Sequence, residues 1–100
     1  MATFTVEHQT PLSKEDTFKK VQKYFNESEG LKKLDSRLEC TVDEADYSGR
    51  VKGSKFQCEF KLTGSAPTKV TIQVNLNFLL TPFKGKIQET LQTKLSQILG

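Results

Sequence analysis

The sequence contains few of the residues that build catalytic and metal sites. Its 100 residues include one histidine, two cysteines and no tryptophan. Cys40 and Cys58 do not form a C-x-x-C pair, so the pattern predicts neither a zinc site nor a thioredoxin-like redox motif. His8 has no evident catalytic partner, and catalysis needs several polar groups that converge in a cleft. We therefore expect no catalytic residue, no metal and no cofactor.

Long apolar runs are also missing. The longest extends from Phe78 to Leu80, whereas a membrane-spanning helix needs roughly 18 apolar residues. The first six residues, MATFTV, lack the basic and apolar regions of a signal peptide. These observations predict a cytoplasmic protein without integral membrane association. In that reducing compartment we expect Cys40 and Cys58 to be buried thiols, while a disulfide between them stays an alternative.

The excess of charge of one sign is small. The chain has 15 basic and 12 acidic residues, which gives a formal net charge of +3. Lys19, Lys20 and Lys23 lie at helical spacing from acidic residues, and we interpret them as a solvated face in which most charges are paired. The glycines form no phosphate-binding motif, and the polar face of the predicted sheet carries no aromatic residue for base stacking. The sequence therefore argues against nucleic acid as a partner.

Periodicity predicts two helices and five strands. Ser13 is a suitable N-cap for the first helix, whose inward stripe is Phe18, Val21 and Phe25. From Arg37 onward apolar and polar residues alternate, which indicates antiparallel strands with one buried face. The inward positions predicted for the strands are Phe4 and Val6; Leu38, Cys40 and Val42; Tyr47 and Val51; Phe56, Cys58, Phe60 and Leu62; and Val70, Ile72, Val74, Leu76 and Phe78.

A second helix near the C-terminus is predicted to cover this sheet. Its apolar residues recur at a spacing close to four, and they are Phe83, Ile87, Leu91, Leu95 and Ile98. The apolar face of the sheet needs a cover because the opposite face is polar, and the two helices are the candidates. We predict a single α+β domain over residues 1–100, a two-layer β-α-β-β-β-β-α fold with two helices on one face of a curved antiparallel sheet.

The segment from Leu76 to Ile87 carries a family resemblance. It has the form L-x-F-L-L-x-P-F-K-G-x-I and is followed by an amphipathic helix. Such a block resembles the polyhydroxyalkanoic acid system family, which implies a role in storage-polyester metabolism or association with polyester granules. The chain departs from the family pattern at Asn77, where glycine is expected, at Gln88 and at Gly49. The plan also resembles a reduced helix-grip fold, in which a long C-terminal helix closes a curved sheet over a pocket.

Two features are candidates for binding apolar material. Gly49 falls on the core face of the sheet and has no side chain. The space left there permits either close packing of a helix or binding of a small apolar ligand. The turn before the last helix could expose an apolar lip whose neighbouring lysines keep their ammonium groups in water; the alternative is that these residues pack in the core. The residues of this second candidate are Leu79, Leu80, Phe83, Lys84, Lys86 and Ile87.

Three functions remain as hypotheses. The first is a non-enzymatic accessory protein of polyhydroxyalkanoate metabolism that binds a granule, another hydrophobic surface or a protein partner. The second is a carrier or sensor of a small lipid or hydroxyacyl ligand, held between the sheet and the C-terminal helix. The third is a small enzyme of the hydroxyacyl type built on His8. An apolar space that reaches Gly49 would favour the carrier, and a filled interior would favour the surface binder.

Overall fold

The order of elements follows the predicted plan, with two short additions. The computed structural model describes residues 2–100, apart from the side chains of residues 2, 29, 30 and 34. A short second helix follows the first, and a 3-10 turn precedes the last helix. The elements are β1 (Ala2–Thr10), α1 (Lys14–Glu27), α2 (Glu29–Leu34), β2 (Glu39–Asp43), β3 (Ser48–Lys52), β4 (Phe56–Gly64), β5 (Thr68–Leu76), the 3-10 turn (Thr81–Phe83) and α3 (Lys84–Leu99).

The five strands form one antiparallel sheet in the order β1-β5-β4-β3-β2. Strands β2 to β5 are a meander, in which each strand pairs with the next one along the chain. Strand β1 pairs with β5 along its whole length, from Ala2 opposite Leu76 to Thr10 opposite Thr68. This long-range pairing places the first strand of the chain beside the last one.

Alternation along the strands separates the core from a polar face. In β4 the buried residues are Phe56, Cys58, Phe60 and Leu62, and each intervening residue is exposed. Strand β5 repeats the pattern as far as Leu76. The prediction that Phe78 continues the buried face is wrong, because the strand ends at Leu76 and the side chain of Phe78 is 75% exposed.

Helix α1 forms as predicted, and its inward stripe packs on the sheet. The hydroxyl oxygen of Ser13 accepts a hydrogen bond from the amide of Asp16, which caps the first turn. The ring of Phe25 stacks on Phe60 with 5.3 Å between the centroids. The predicted ion pairs between successive turns are not formed among the described side chains, whose ion pairs are Arg50–Glu59 and Lys69–Glu7. Exposed pairs of this kind contribute little energy, so their loss has a small cost.

Helix α3 covers the part of the sheet around β1. Its buried residues are Ile87, Leu91, Leu95 and Leu99. Of the five predicted positions three are therefore right, Phe83 is wrong at 49% exposure, and Ile98 is only half-buried, next to the buried Leu99. Two hydrogen bonds join the helix to β1: the hydroxyl of Thr10 donates to the carbonyl of Leu99, and the side-chain amide of Gln92 donates to the carbonyl of Glu7. The C-terminal helix is therefore packed on the apolar face of the sheet.

A buried carboxylate connects the end of α2 to the turn between β3 and β4. Asp35 is 3% exposed, and its oxygens accept four hydrogen bonds, from the amides of Arg37, Lys55 and Phe56 and from the hydroxyl of Ser54. Burial raises the pKa of this carboxyl group, but the four hydrogen bonds together outweigh that effect and hold its pKa below the usual value. Gly53 is needed beside it, since a Cβ there would collide with Oδ2 of Asp35.

Both cysteines are free thiols; Cys58 is buried as predicted, whereas Cys40 is only half-buried. Cys40 on β2 lies opposite Val51 on β3, and Val51 lies opposite Cys58 on β4. The two cysteines are therefore two strand spacings apart, roughly 10 Å, which exceeds the separation of about 7 Å that a disulfide can bridge. Burial raises the pKa of both thiols, more strongly for Cys58, so neither is poised as a nucleophile.

Candidate hydrophobic binding site

The turn that follows β5 presents large apolar side chains to solvent. The side-chain oxygen of Asn77 accepts hydrogen bonds from the amides of Leu79 and Leu80, and its carbonyl accepts one from the hydroxyl of Thr81. These bonds close the chain into a turn and direct Phe78 outward. We call Phe78, Leu79 and Phe83 the apolar lip; their exposed fractions are 75%, 55% and 49%.

The apolar lip differs from the set expected from the sequence, because it includes Phe78 and excludes Leu80 and Ile87. Leu80 is buried, at 6% exposure, because the turn directs it back into the core while its neighbour Leu79 faces out. Lys84 and Lys86 follow on the first turn of α3 and are exposed, and Ile87 is buried beneath them. The lip is thus an apolar surface bordered by two ammonium groups, which is the arrangement predicted for contact with a hydrophobic surface.

Gly49 does not open into an internal pocket. A Cβ at this position would collide with the ring of Phe60 at its Cζ atom. The ring of Phe60 is buried and is fixed by its stack on Phe25. The space expected beneath Gly49 is therefore filled by Phe60, so of the two alternatives the structure adopts close packing, here by a cross-strand neighbour. Gly49 also lines a shallow depression on the sheet beside Arg50 and Glu59.

The larger concavity lies between the helices. It has a volume of about 990 Å³ and is open to solvent rather than enclosed. We call it the interhelical cleft. One wall comes from α1 and α2 and the other from the 3-10 turn and α3. Its apolar lining consists of Tyr24, Leu31, Phe83, Ile87, Leu91 and Ile98. Drug-sized ligands occupy sites of roughly 300–1,000 Å³, so the cleft is large enough for a small molecule.

Basic residues dominate the charge of the interhelical cleft. Lys20, Lys23, Lys86 and Lys94 line it together with one acidic residue, Glu27. All four lysines are exposed, and none takes part in an ion pair with a side chain that the structure describes. The cleft therefore combines an apolar floor with an excess of positive charge at its rim.

Tyr24 supplies a hydroxyl group at the same place. Its side chain is half-buried in the cleft. Burial raises the pKa of Tyr24, which the hydroxyl of Ser28 partly counteracts. The phenol is accordingly neutral at pH 7 and can donate a hydrogen bond.

The predicted site residues are brought together only in part. Phe83, Lys86 and Ile87 line the interhelical cleft, whereas its lining does not include Gly49, Leu79, Leu80 or Lys84. Sequence reasoning missed the opposite wall of the cleft. One available signal was the position of Tyr24 at the edge of the inward stripe of α1; another was the position of Lys20 and Lys23 on the same helix.

Other polar groups have structural partners. The Nε2 atom of His8 lies 3.2 Å from the carbonyl oxygen of Gly100. Asp43 accepts hydrogen bonds from the amides of Ala45 and Asp46 and so closes the turn between β2 and β3. Among the side chains that the structure describes, which leave out that of residue 29, no group of three or more His, Cys, Asp or Glu has the geometry to hold a metal ion. Over residues 2–100 no helix is both long and apolar enough to span a membrane.

Comparison with protein families gives a clear assignment. The family model for the polyhydroxyalkanoic acid system protein matches residues 4–99. The chain belongs to this family. The match includes both the apolar lip and the interhelical cleft, and it confirms the resemblance carried by the segment from Leu76 to Ile87. None of the curated proteins matches the polyhydroxyalkanoic acid system chain.

Solved structures confirm the helix-grip fold of this polyhydroxyalkanoic acid system family member. The chain is similar to Ara h 8.0201, with a TM-score of 0.60, 16% identity, and coverage of 98% of this chain and 92% of that chain. It is similar to TTHA0849 from Thermus thermophilus, with a TM-score of 0.57, 12% identity and the same coverages. A START superfamily protein from Mycobacterium smegmatis matches with a TM-score of 0.52, 10% identity, and coverage of 95% and 97%. At these identities the similarity concerns the fold alone.

Proposed function

We propose that this protein is a non-enzymatic accessory factor of polyhydroxyalkanoate metabolism that binds the surface of polyester granules in the cytoplasm. The observation that carries the proposal is the apolar lip, where three large side chains are exposed within one short segment. Large exposed apolar patches on soluble proteins often mark sites that bind another protein, a membrane or a ligand. The family assignment connects the chain to polyhydroxyalkanoate, and a granule of this polyester would offer a matching hydrophobic surface.

The lip has the composition that contact with a polyester surface requires. Full burial of one Phe or Leu side chain contributes about 1.5–3 kcal/mol, and the lip residues still expose between 49% and 75% of their surface. Part of this gain is offset by the entropy lost on binding. Lys84 and Lys86 can lay their stems along the polyester while their ammonium groups stay hydrated. The result is a moderate, reversible attachment.

Replacing both Phe78 and Leu79 with serine should reduce binding to granules by about 10-fold, which corresponds to 1.4 kcal/mol. The reason is that the variant removes the two most exposed apolar side chains of the lip. The measurement is co-sedimentation of purified protein with protein-free polyhydroxybutyrate granules over a range of granule concentrations. Both positions are exposed, so the variant should fold, and circular dichroism with a melting curve checks this.

A matched control changes the other side of the molecule. Lys52 and Lys61 lie on the exposed face of the sheet, and replacing both with glutamine should leave granule binding unchanged. If the serine variant sediments as well as the wild type, or if the wild type does not sediment at all, attachment through the lip is refuted.

A second candidate function is carriage of an apolar ligand, and the interhelical cleft favours it. The location differs from the one expected from the sequence, which was the space between the sheet and the C-terminal helix. Phe60 fills the interior at Gly49, and the larger concavity lies between α1, α2 and α3 instead. A carrier function of this kind would use the cleft, which shares Phe83 with the lip, and would leave Phe78 and Leu79 free for granules.

A further inference from the structure

We propose that the interhelical cleft binds a single-chain amphiphile with an anionic head, a fatty or 3-hydroxy fatty carboxylate, with its chain on the apolar floor and its carboxylate at the lysine rim. The inference rests on the second candidate function, carriage of an apolar ligand, and adds the chemical class of that ligand. It assigns the binding to Lys20, Lys23, Lys86 and Lys94 on the rim and to Tyr24 below them.

Charge complementarity selects an anionic ligand. The four rim lysines come from both walls, two from α1 and two from α3, and face a single acidic residue, Glu27. No described carboxylate pairs with any of them, so their charges are available to a ligand. A carboxylate placed among unpaired ammonium groups forms charge-assisted hydrogen bonds, which are about twice as strong as neutral ones.

The floor selects a hydrocarbon chain. Leu31, Ile87 and Leu91 are buried at its base, and Ile98 is half-buried beside them. A neutral phenol at Tyr24 can donate a hydrogen bond either to the carboxylate or to a 3-hydroxyl group. Because the cleft is open to solvent, the hydrocarbon chain of a ligand can enter it from the side, and no part of the protein has to open first.

A bulky side chain placed in the cleft should weaken ligand binding. Thr90 and Thr93 are both exposed residues of α3, but only Thr90 lines the cleft. Dodecanoate is titrated into the protein by isothermal calorimetry below its micellar concentration. We expect Thr90→Phe to weaken dodecanoate binding at least 10-fold and Thr93→Phe to leave it unchanged. Because both variants add the same ring at an exposed position of the same helix, a general effect on folding would appear in both.

A second arm tests the anionic head group. Methyl dodecanoate has the same chain without the charge, and we expect it to bind about 10-fold more weakly than dodecanoate at low salt. In a variant with all four rim lysines changed to glutamine, the two ligands should bind equally. The control variant has the same change in net charge on the sheet side and should keep the 10-fold preference; its substitutions are at Lys52, Lys55, Lys61 and Lys69.

The outcomes separate this inference from the functions it rests on. If dodecanoate, methyl dodecanoate and dodecanol all fail to bind, ligand carriage itself is wrong. If they bind equally well and Thr90→Phe removes all three, carriage stands and the anionic head group is refuted. If dodecanoate binds but Thr90→Phe has no effect, the cleft is not the site. Attachment to granules is tested independently, because Phe78 and Leu79 do not line the cleft.

Discussion

Replacing Asp35 with asparagine should lower the free energy of unfolding by about 3 kcal/mol at pH 7. Each oxygen of this buried carboxylate accepts two hydrogen bonds, and the bond from the amide of Lys55 is 2.6 Å long. In asparagine an NH₂ group takes the place of one oxygen, so the backbone amides bonded to that oxygen, Arg37 at Oδ1 or Lys55 and Phe56 at Oδ2, lose their acceptor and face another donor. The hydroxyl of Ser54, in contrast, can turn and accept. Hydrogen bonds to charged groups contribute about 1.5–3 kcal/mol each. Urea denaturation of both proteins measures the difference.

The effect of Asp35 should depend on pH in a defined direction. The folded state lowers the pKa of this carboxyl group, whereas in the unfolded chain it is near 3.9. The stabilisation is therefore complete above about pH 4, and it is lost as the pH falls through the lower pKa of the folded state. The difference between wild type and Asp35→Asn should be constant from pH 7 to pH 5 and should narrow below about pH 4.

Asp43 provides a matched control for this substitution. It also accepts two backbone hydrogen bonds, but it lies in an exposed turn and uses one oxygen, which asparagine retains. Asp43→Asn should change the free energy of unfolding by less than about 0.5 kcal/mol. A difference below about 1 kcal/mol for Asp35→Asn at pH 7 would show that the carboxylate does not connect α2 to the β3–β4 turn as described.

Replacing Leu95 with alanine should lower the free energy of unfolding by about 2–5 kcal/mol. Leu95 is fully buried in the middle of the packed face of α3. The substitution leaves a cavity between the helix and the sheet that the surrounding side chains can fill only partly. Urea denaturation at pH 7 measures the change. In a domain with a total stability of about 5–15 kcal/mol, this loss is a large fraction.

The control for Leu95 is the same substitution at Leu79. That side chain is 55% exposed on the apolar lip, so Leu79→Ala should cost less than about 1 kcal/mol. The contrast between the two leucines reports on how α3 packs. Equal and small effects at both positions would mean that α3 does not cover the apolar face of the sheet.

The fold could be predicted from the sequence because its main signals are local. Alternation from Val70 to Leu76 and the stripe Ile87, Leu91 and Leu95 depend on residues close in the chain, and both are confirmed. The pairing of β1 with β5 joins segments that are far apart in sequence. Periodicity within a segment does not indicate which strands pair. The buried position of Asp35 was also not predicted, since a single acidic residue after a helix shows no sequence pattern that indicates four hydrogen bonds.

The error at Phe78 has a local physical cause. Alternation alone continues the strand to this residue, but the side chain of Asn77 accepts hydrogen bonds from the amides of Leu79 and Leu80 and ends the strand early. Asparagine is a common turn residue for this reason. Its presence where the family resemblance led us to expect glycine was a usable signal. Phe83 likewise falls outside the stripe, because helix α3 begins one residue later, at Lys84.

The candidate site depends on contacts that a single segment cannot reveal. The interhelical cleft forms only when α1 and α3 lie side by side, and its two walls are separated by most of the chain. Lys20 and Lys23 were interpreted as paired charges of a solvated face, whereas they line the cleft without a described ion-pair partner. Helical spacing makes such pairs available, but their small energy does not enforce them.

The location of the protein in cells that contain polyester granules tests the proposed function most directly. A fluorescent fusion of the wild type should outline the granules, because the exposed lip binds their surface. The same fusion with Phe78→Ser and Leu79→Ser should spread through the cytoplasm while staying folded. A uniform distribution of the wild type, or granule outlines that survive in the serine variant, would contradict the proposal that this protein acts on granules through its apolar lip.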